Sequence, residues 1–207
     1  AGDFLVLDGT DGASANANDR ILYDETFNPA TFNIGTGTAG QAIKVATNGG
    51  LEFGTAGGIL QVVQTVKTDN FSTTSTTFVD VTGFSVAITP SSTSSKVLIM
   101  INMNSSTSGG NNAMIKLVRG STDIGVGDAS GSRLQATAQT RMDNDSNSCA
   151  TLTTCFLDSP NTTSETTYKV QYEVQGGTGT INITQGGADN AGFGNIISTI
   201  TAMEVGA

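Results

Sequence analysis

The chain contains no histidine and no tryptophan in 207 residues. Histidine is the side chain most often used as general base and metal ligand near neutral pH. Its absence removes every Ser-His-Asp and Cys-His nucleophilic arrangement. Charge is scarce, at 13% of residues, and it leans acidic: nine Lys and Arg against 18 Asp and Glu, for a net charge of −9. Lys and Arg form no cluster, so the phosphate-neutralising surface that nucleic-acid binding needs is missing. The longest strongly apolar run is residues 97–101, whereas a membrane-spanning helix needs about 20. Ala1-Gly2-Asp3 lacks the basic start and apolar middle of a secretory signal. Neither nucleic acid nor membrane insertion is therefore expected.

Cysteine is also sparse. Cys149 and Cys155 stand six apart in CATLTTC. On one strand that spacing separates their Cα atoms by roughly 20 Å, and a disulfide needs less than about 7 Å. The sequence predicts two free thiols on one side of a strand, packed as small core hydrophobes. Such thiols suit assembly inside a cell rather than a disulfide-stapled secreted domain.

In place of charge the chain carries Thr, Ser, Asn and 26 Gly. These residues favour half-wet strands and the turns between them. Residues 1–58 hold seven acidic and two basic side chains and few apolar anchors. Short strands are expected at 4–7, 21–23, 31–34 and 43–45, each too short to stand alone. This segment is predicted to be an extended arm or stalk that packs between chains. Gly54-Thr55-Ala56-Gly57-Gly58 is predicted to be a hinge between it and a head domain over residues 59–207.

The head alternates short strands with turns. Strands are expected at 59–66, 76–81, 83–89, 96–103, 113–118, 122–126, 134–142, 149–157, 168–175, 180–184 and 196–205. Tyr168, Val170, Tyr172 and Val174 alternate with Lys169, Gln171, Glu173 and Gln175, the cleanest half-buried pattern. Val97, Ile99, Ile101 and Met103 share one face, with Leu98 and Met100 on the other. A strand apolar on both faces is central and covered on each side, and the second cover is expected from a neighbouring subunit. Turn signals every 8 to 15 residues or so indicate an all-β, antiparallel, jelly-roll-like sandwich of about eight to ten strands.

Several motifs carry less than they promise. Gly35-Thr36-Gly37-Thr38-Ala39-Gly40 matches G-x-G-x-x-G, but Asn48-Gly49-Gly50 denies it the following helix that a dinucleotide site requires. Asp143-Asn144-Asp145-Ser146-Asn147 begins like a calcium loop. Ser148 and Thr154 then replace the required Gly and Glu, so no metal is assigned. Asp123 with Asp128, or Glu165 with Glu173, are candidate carboxylate pairs for glycan hydrolysis. The N-x-[ST] matches at Asn70, Asn104, Asn144, Asn161 and Asn182 are read as chance in so Ser/Thr-rich a chain. No cofactor is implied, and no enzyme is expected.

The segments AIKV, LEFGTAGGILQVVQT, ITPSSTSSKVLI, LVRGSTDIGVGDASGSR, FLDSPNTTSETTYKVQYEV and ITAMEV together resemble marine bacteriophage tail fibres and related virion fibre proteins, over roughly residues 40–205. The resemblance implies a homotrimer on the virion, assembled in the host cytoplasm. Residues 1–58 would anchor it to another virion protein, and the head would attach to a host surface glycan or protein. Binding is expected at loop tips, where polar side chains meet ligands. The candidates are Asn111, Asn112, Asp143, Asn144, Asp145, Asn147, Asp189, Asn190 and Phe193. The alternative is a capsid or tail decoration protein with no receptor role; a glycan hydrolase is the third reading.

Overall fold

A computed structural model describes residues 41–45, 51–55, 58–143, 145, 147–184 and 191–206. The strands expected at 4–7, 21–23 and 31–34, and the Gly35–Gly40 motif, lie outside these residues. The chain divides into two compact units, Ala1–Ala56 and Gly57–Ala207.

In the first unit β1 (Gln41–Val45) pairs antiparallel with β2 (Leu51–Thr55), from Gln41 opposite Thr55 to Val45 opposite Leu51. Gly54 and Thr55 therefore belong to a strand, where a hinge was expected. Ladder hydrogen bonds come from the backbone, so a glycine with no side chain still pairs.

The second unit is a sandwich of two antiparallel sheets. It contains β3 (Ile59–Lys67), β4 (Phe71–Thr73), β5 (Val79–Ile88), β6 (Lys96–Thr107), β7 (Asn112–Arg119), β8 (Thr122–Ile124), β9 (Ala138–Arg141), β10 (Ala150–Asp158), β11 (Thr166–Val174), β12 (Gly179–Ile181) and β13 (Ser198–Val205). One sheet runs β3-β13-β6, with β10 on the far edge of β6 and the short β12 and β4 continuing where β13 ends. The other runs β5-β11-β7, with β8 and β9 sharing the outer edge of β7. Counting β8 and β9 as one, the eight main strands lie in the order 1-8-3-6 and 2-7-4-5, which is the double Greek key of a jelly roll.

Alternation explains the core. Tyr168, Val170, Tyr172 and Val174 on β11 are fully buried, facing Val97, Ile99, Ile101 and Met103 on β6. Each such aliphatic side chain contributes roughly 1.5–3 kcal/mol on burial. The sequence reads residues 76–81 and 83–89 as two strands, yet β5 is continuous. Gly83 adopts φ +73° and inserts a bulge, since Asp80 pairs with Gln171 while Ser85 pairs with Lys169. Val81 and Phe84 consequently both point inward, a parity switch that looks like a break in the sequence. The buried Lys67 ammonium caps this bulge, donating to the Thr82 carbonyl at 2.8 Å and to Asp69 at 2.8 Å.

Both cysteines are free, as the spacing predicts, but both are exposed rather than in the core. On β10 the inward positions go to Leu152, Thr154, Phe156 and Asp158, which leaves Cys155 facing out with Thr151, Thr153 and Leu157. Cys149 precedes the strand.

Candidate functional site

Three polar connections converge at one end of the head. The β6–β7 connection contains a single 3-10 turn, Ser108–Gly110. Its Ser108 amide donates to the Thr178 carbonyl at 2.9 Å, and Ser108 Oγ accepts from the Thr178 amide at 2.8 Å. These bonds join it to the β11–β12 turn. The Gln175 amide donates to the Asn112 carbonyl at 3.0 Å, and Asn112 Nδ2 donates to Gln175 Oε1 at 2.8 Å. The Met142 amide reaches the Asn111 carbonyl at 3.4 Å and brings in the β9–β10 connection.

The predicted binding residues fare unequally. Asn111 and Asn112 lie half-buried in this cluster; Asn111 Nδ2 is committed to the Ser108 carbonyl at 2.6 Å. Asp143, Asp145 and Asn147 are exposed on the neighbouring loop. Asp145 Oδ1 accepts from the Asn147 amide at 2.9 Å, so this carboxylate builds the turn. Phe193 is half-buried in the separate β12–β13 connection, whose C-terminal end is bonded to Asn104 and Asn182. Asn144, Asp189 and Asn190 lie outside the described residues. No group of three or more potential metal-ligating side chains occurs among the described residues.

The same end carries a cavity of about 520 Å³ on the outer face of the five-stranded sheet. Register places its lining. Glu173 on β11 is opposite Met114 on β7, which is opposite Gln139 on β9. Asn112 and Gln175 form the next row, and residues 132–134 of the β8–β9 connection complete the lining with Thr76. Glu173 is only 1% exposed, although it occupies an outward position of its strand. Its Oε1 has no hydrogen-bond partner among the described residues. Burial pushes its carboxyl above the usual carboxylate range.

The carboxylate pair Glu165 and Glu173 is not assembled. Glu165 borders a different depression, beside Arg119 and Thr167, and eight residues of extended chain separate the two by roughly 26 Å. Asp123 is held by Lys116 at 2.8 Å. The burial of Glu173 was hidden in the sequence, because its cover comes from a connection some 40 residues away in the chain.

The outer face of the six-stranded sheet is of another kind. Val62, Met203, Leu98 and Leu157 form one row across β3, β13, β6 and β10. Gln64, Thr201, Met100 and Cys155 form the next, then Val66, Thr199, Asn102 and Thr153. None of these side chains is charged, and Val62, Met100 and Leu157 are each more than 40% exposed. Met100 is 44% exposed on this face, the side on which the sequence reading places a neighbouring subunit.

No family model and no curated protein matches the chain. Among solved structures it is similar to a chain of infectious bursal disease virus, Gx strain, with TM-score 0.38 and 16% identity over 98% of this chain and 52% of that one. For the Gt strain the values are 0.40 and 14%, over 100% and 58%. For the VP2 subviral particle of the same virus they are 0.35 and 17%, over 100% and 57%. This chain thus spans little more than half the length of those chains, and similarity of this size carries no argument about function.

Proposed function

We propose that this protein is a virion fibre protein that attaches a phage to its host through the loop end of the head. The observation that carries this reading is the convergence of the 108–112 and 175–178 connections, with Met142 bonded to Asn111, into one polar, hydrogen-bonded surface beside an open cavity. Jelly-roll strands supply a rigid scaffold, and polar loops at its end are placed for recognition. The sequence resemblance to marine phage fibres points the same way. The protein acts as a homotrimer, by binding rather than catalysis, with residues 1–58 docked on another virion protein. The three uncharged rows on the outer face of the six-stranded sheet support contact between copies, because a chain of net charge −9 associates most readily where it presents no charge.

Purified protein added to host cells is expected to block adsorption of the virion. Immunogold electron microscopy is expected to place the chain at fibre tips. Adsorption unaffected by saturating protein, with label spread evenly over the capsid, would instead establish the decoration reading, which the uncharged face also favours.

A further inference from the structure

The Glu173 carboxylate presents a physical problem that the fold leaves unsolved. A carboxylate out of water costs several kcal/mol unless it is paired or hydrogen-bonded. Here Oε1 has no partner among the described residues, and the residue lines an open cavity. Among the described residues no other Asp or Glu lines it. The groups that share it are neutral amides and hydroxyls, one guanidinium, and two apolar side chains. A lone carboxylate is a poor calcium cage, since calcium takes six to eight oxygens at close range. Arg133 on the rim also opposes an ammonium ligand. What remains is a neutral molecule with many hydroxyls and a C–H face.

We propose that this cavity is a saccharide-binding site, in which Glu173 accepts hydrogen bonds from sugar hydroxyls. Gln139 and Gln175 supply paired amide donors and acceptors, and Arg133 donates at the rim. Met114 and Leu134, the latter 52% exposed, supply apolar contact for the ring-carbon face. The volume of about 520 Å³ falls among small-molecule sites, which run from about 300 to 1,000 Å³. A sugar hydroxyl reaching the Glu173 carboxylate from the cavity gains a charge-assisted bond. This assignment deepens the attachment reading and rests on it for its biological sense.

The test is an NMR titration of the full chain with glucose, galactose, mannose and N-acetylglucosamine. The side-chain amide resonances of Asn112, Gln139 and Gln175 are followed. At least one sugar is expected to move them saturably. Affinity is expected to fall roughly tenfold in Glu173→Leu and measurably in the exposed variant Gln139→Ala. Gln139→Ala also keeps the test valid if Glu173→Leu fails to fold. Resonances unmoved by all four sugars, or moved by calcium chloride instead, overturn the assignment. So does undiminished sugar affinity in Gln139→Ala. Virion adsorption that is still blocked by Glu173→Leu protein would sink the saccharide site alone and leave attachment standing.

Discussion

The Tyr168 hydroxyl lies 2.7 Å from Asp158 Oδ2 and ties the two sheets of the head together. Tyr168 belongs to β11 of one sheet and Asp158 ends β10 of the other. Arg119 Nη1, from β7, donates to both carboxylate oxygens at 2.9 Å. Four residues along β11, the Tyr172 hydroxyl meets Ser105 Oγ of β6 at 2.7 Å. Two inward tyrosines therefore fill the core with their rings and spend their polar ends on the opposite sheet.

The Asp158 clasp is expected to be asymmetric. Tyr168→Phe removes one bond and leaves Asp158 on Arg119, at a cost of about 1 kcal/mol. Asp158→Ala strands the buried phenol and loosens the guanidinium, at a cost of about 3 kcal/mol. Urea denaturation of both variants checks the ratio.

Asn182 closes the point where the edge of β6 passes from β13 to β12. It is fully buried at φ +68°. Its Nδ2 donates to the carbonyls of Lys67 at 2.8 Å and Asp69 at 3.0 Å, and its Oδ1 accepts from Ser198 Oγ at 2.6 Å. Asn182→Gly is expected to cost about 3 kcal/mol for the lost bonds. Asn182→Ala is expected to cost about 1 kcal/mol more, for a left-handed residue bearing a Cβ. Equal losses in equilibrium unfolding would show that backbone strain plays no part. A residue with its amide spent on two carbonyls also cannot carry a glycan, whatever its sequon.

Acid is expected to weaken the head through Glu204. Burial alone would push its carboxyl up, but hydrogen bonds from Ser91 and Gln61 outweigh that and hold it at about 2 against an ordinary 4.5. Between those values the unfolded chain binds the extra proton. The stabilisation is therefore present above about pH 4.5 and lost as pH falls towards 2. Glu204→Gln is expected to flatten the denaturation midpoint against pH in that window.

Glu173 works in the opposite sense. Its folded carboxyl is raised, so the native state pays for ionising it as pH climbs past the ordinary value of 4.5. Glu173→Gln is expected to raise the melting temperature at pH 7 and to lose that advantage near pH 4.5. Parallel pH curves for the two proteins would contradict the burial.

The uncharged sheet face is expected to hold copies of the chain together. Met100→Asp, at its centre, is expected to convert the proposed trimer to monomers in size-exclusion light scattering. Cys155, in the same row, is expected to react with a maleimide only after dissociation. Rapid labelling of Cys155 in the intact oligomer would place the contact elsewhere.

Strand identity was largely legible in the sequence. The alternation through residues 168–175 matches β11, because a sheet with one wet face imposes a period of two on its side chains. Reading failed where the period is broken for a tertiary reason. The Gly83 bulge shifts parity inside β5, and the cysteines are outward because Leu152 and Phe156 claim the inward positions.

By itself the sequence determined an all-β chain without histidine chemistry, with free thiols and polar loops, since composition and alternation are local properties. Only the tertiary structure decided the jelly-roll order, the sheet-to-sheet clasp at Asp158 and the buried carboxylate of Glu173. Those depend on which distant segments meet. An outward-facing glutamate on a strand reads as solvated until another segment of the chain folds over it.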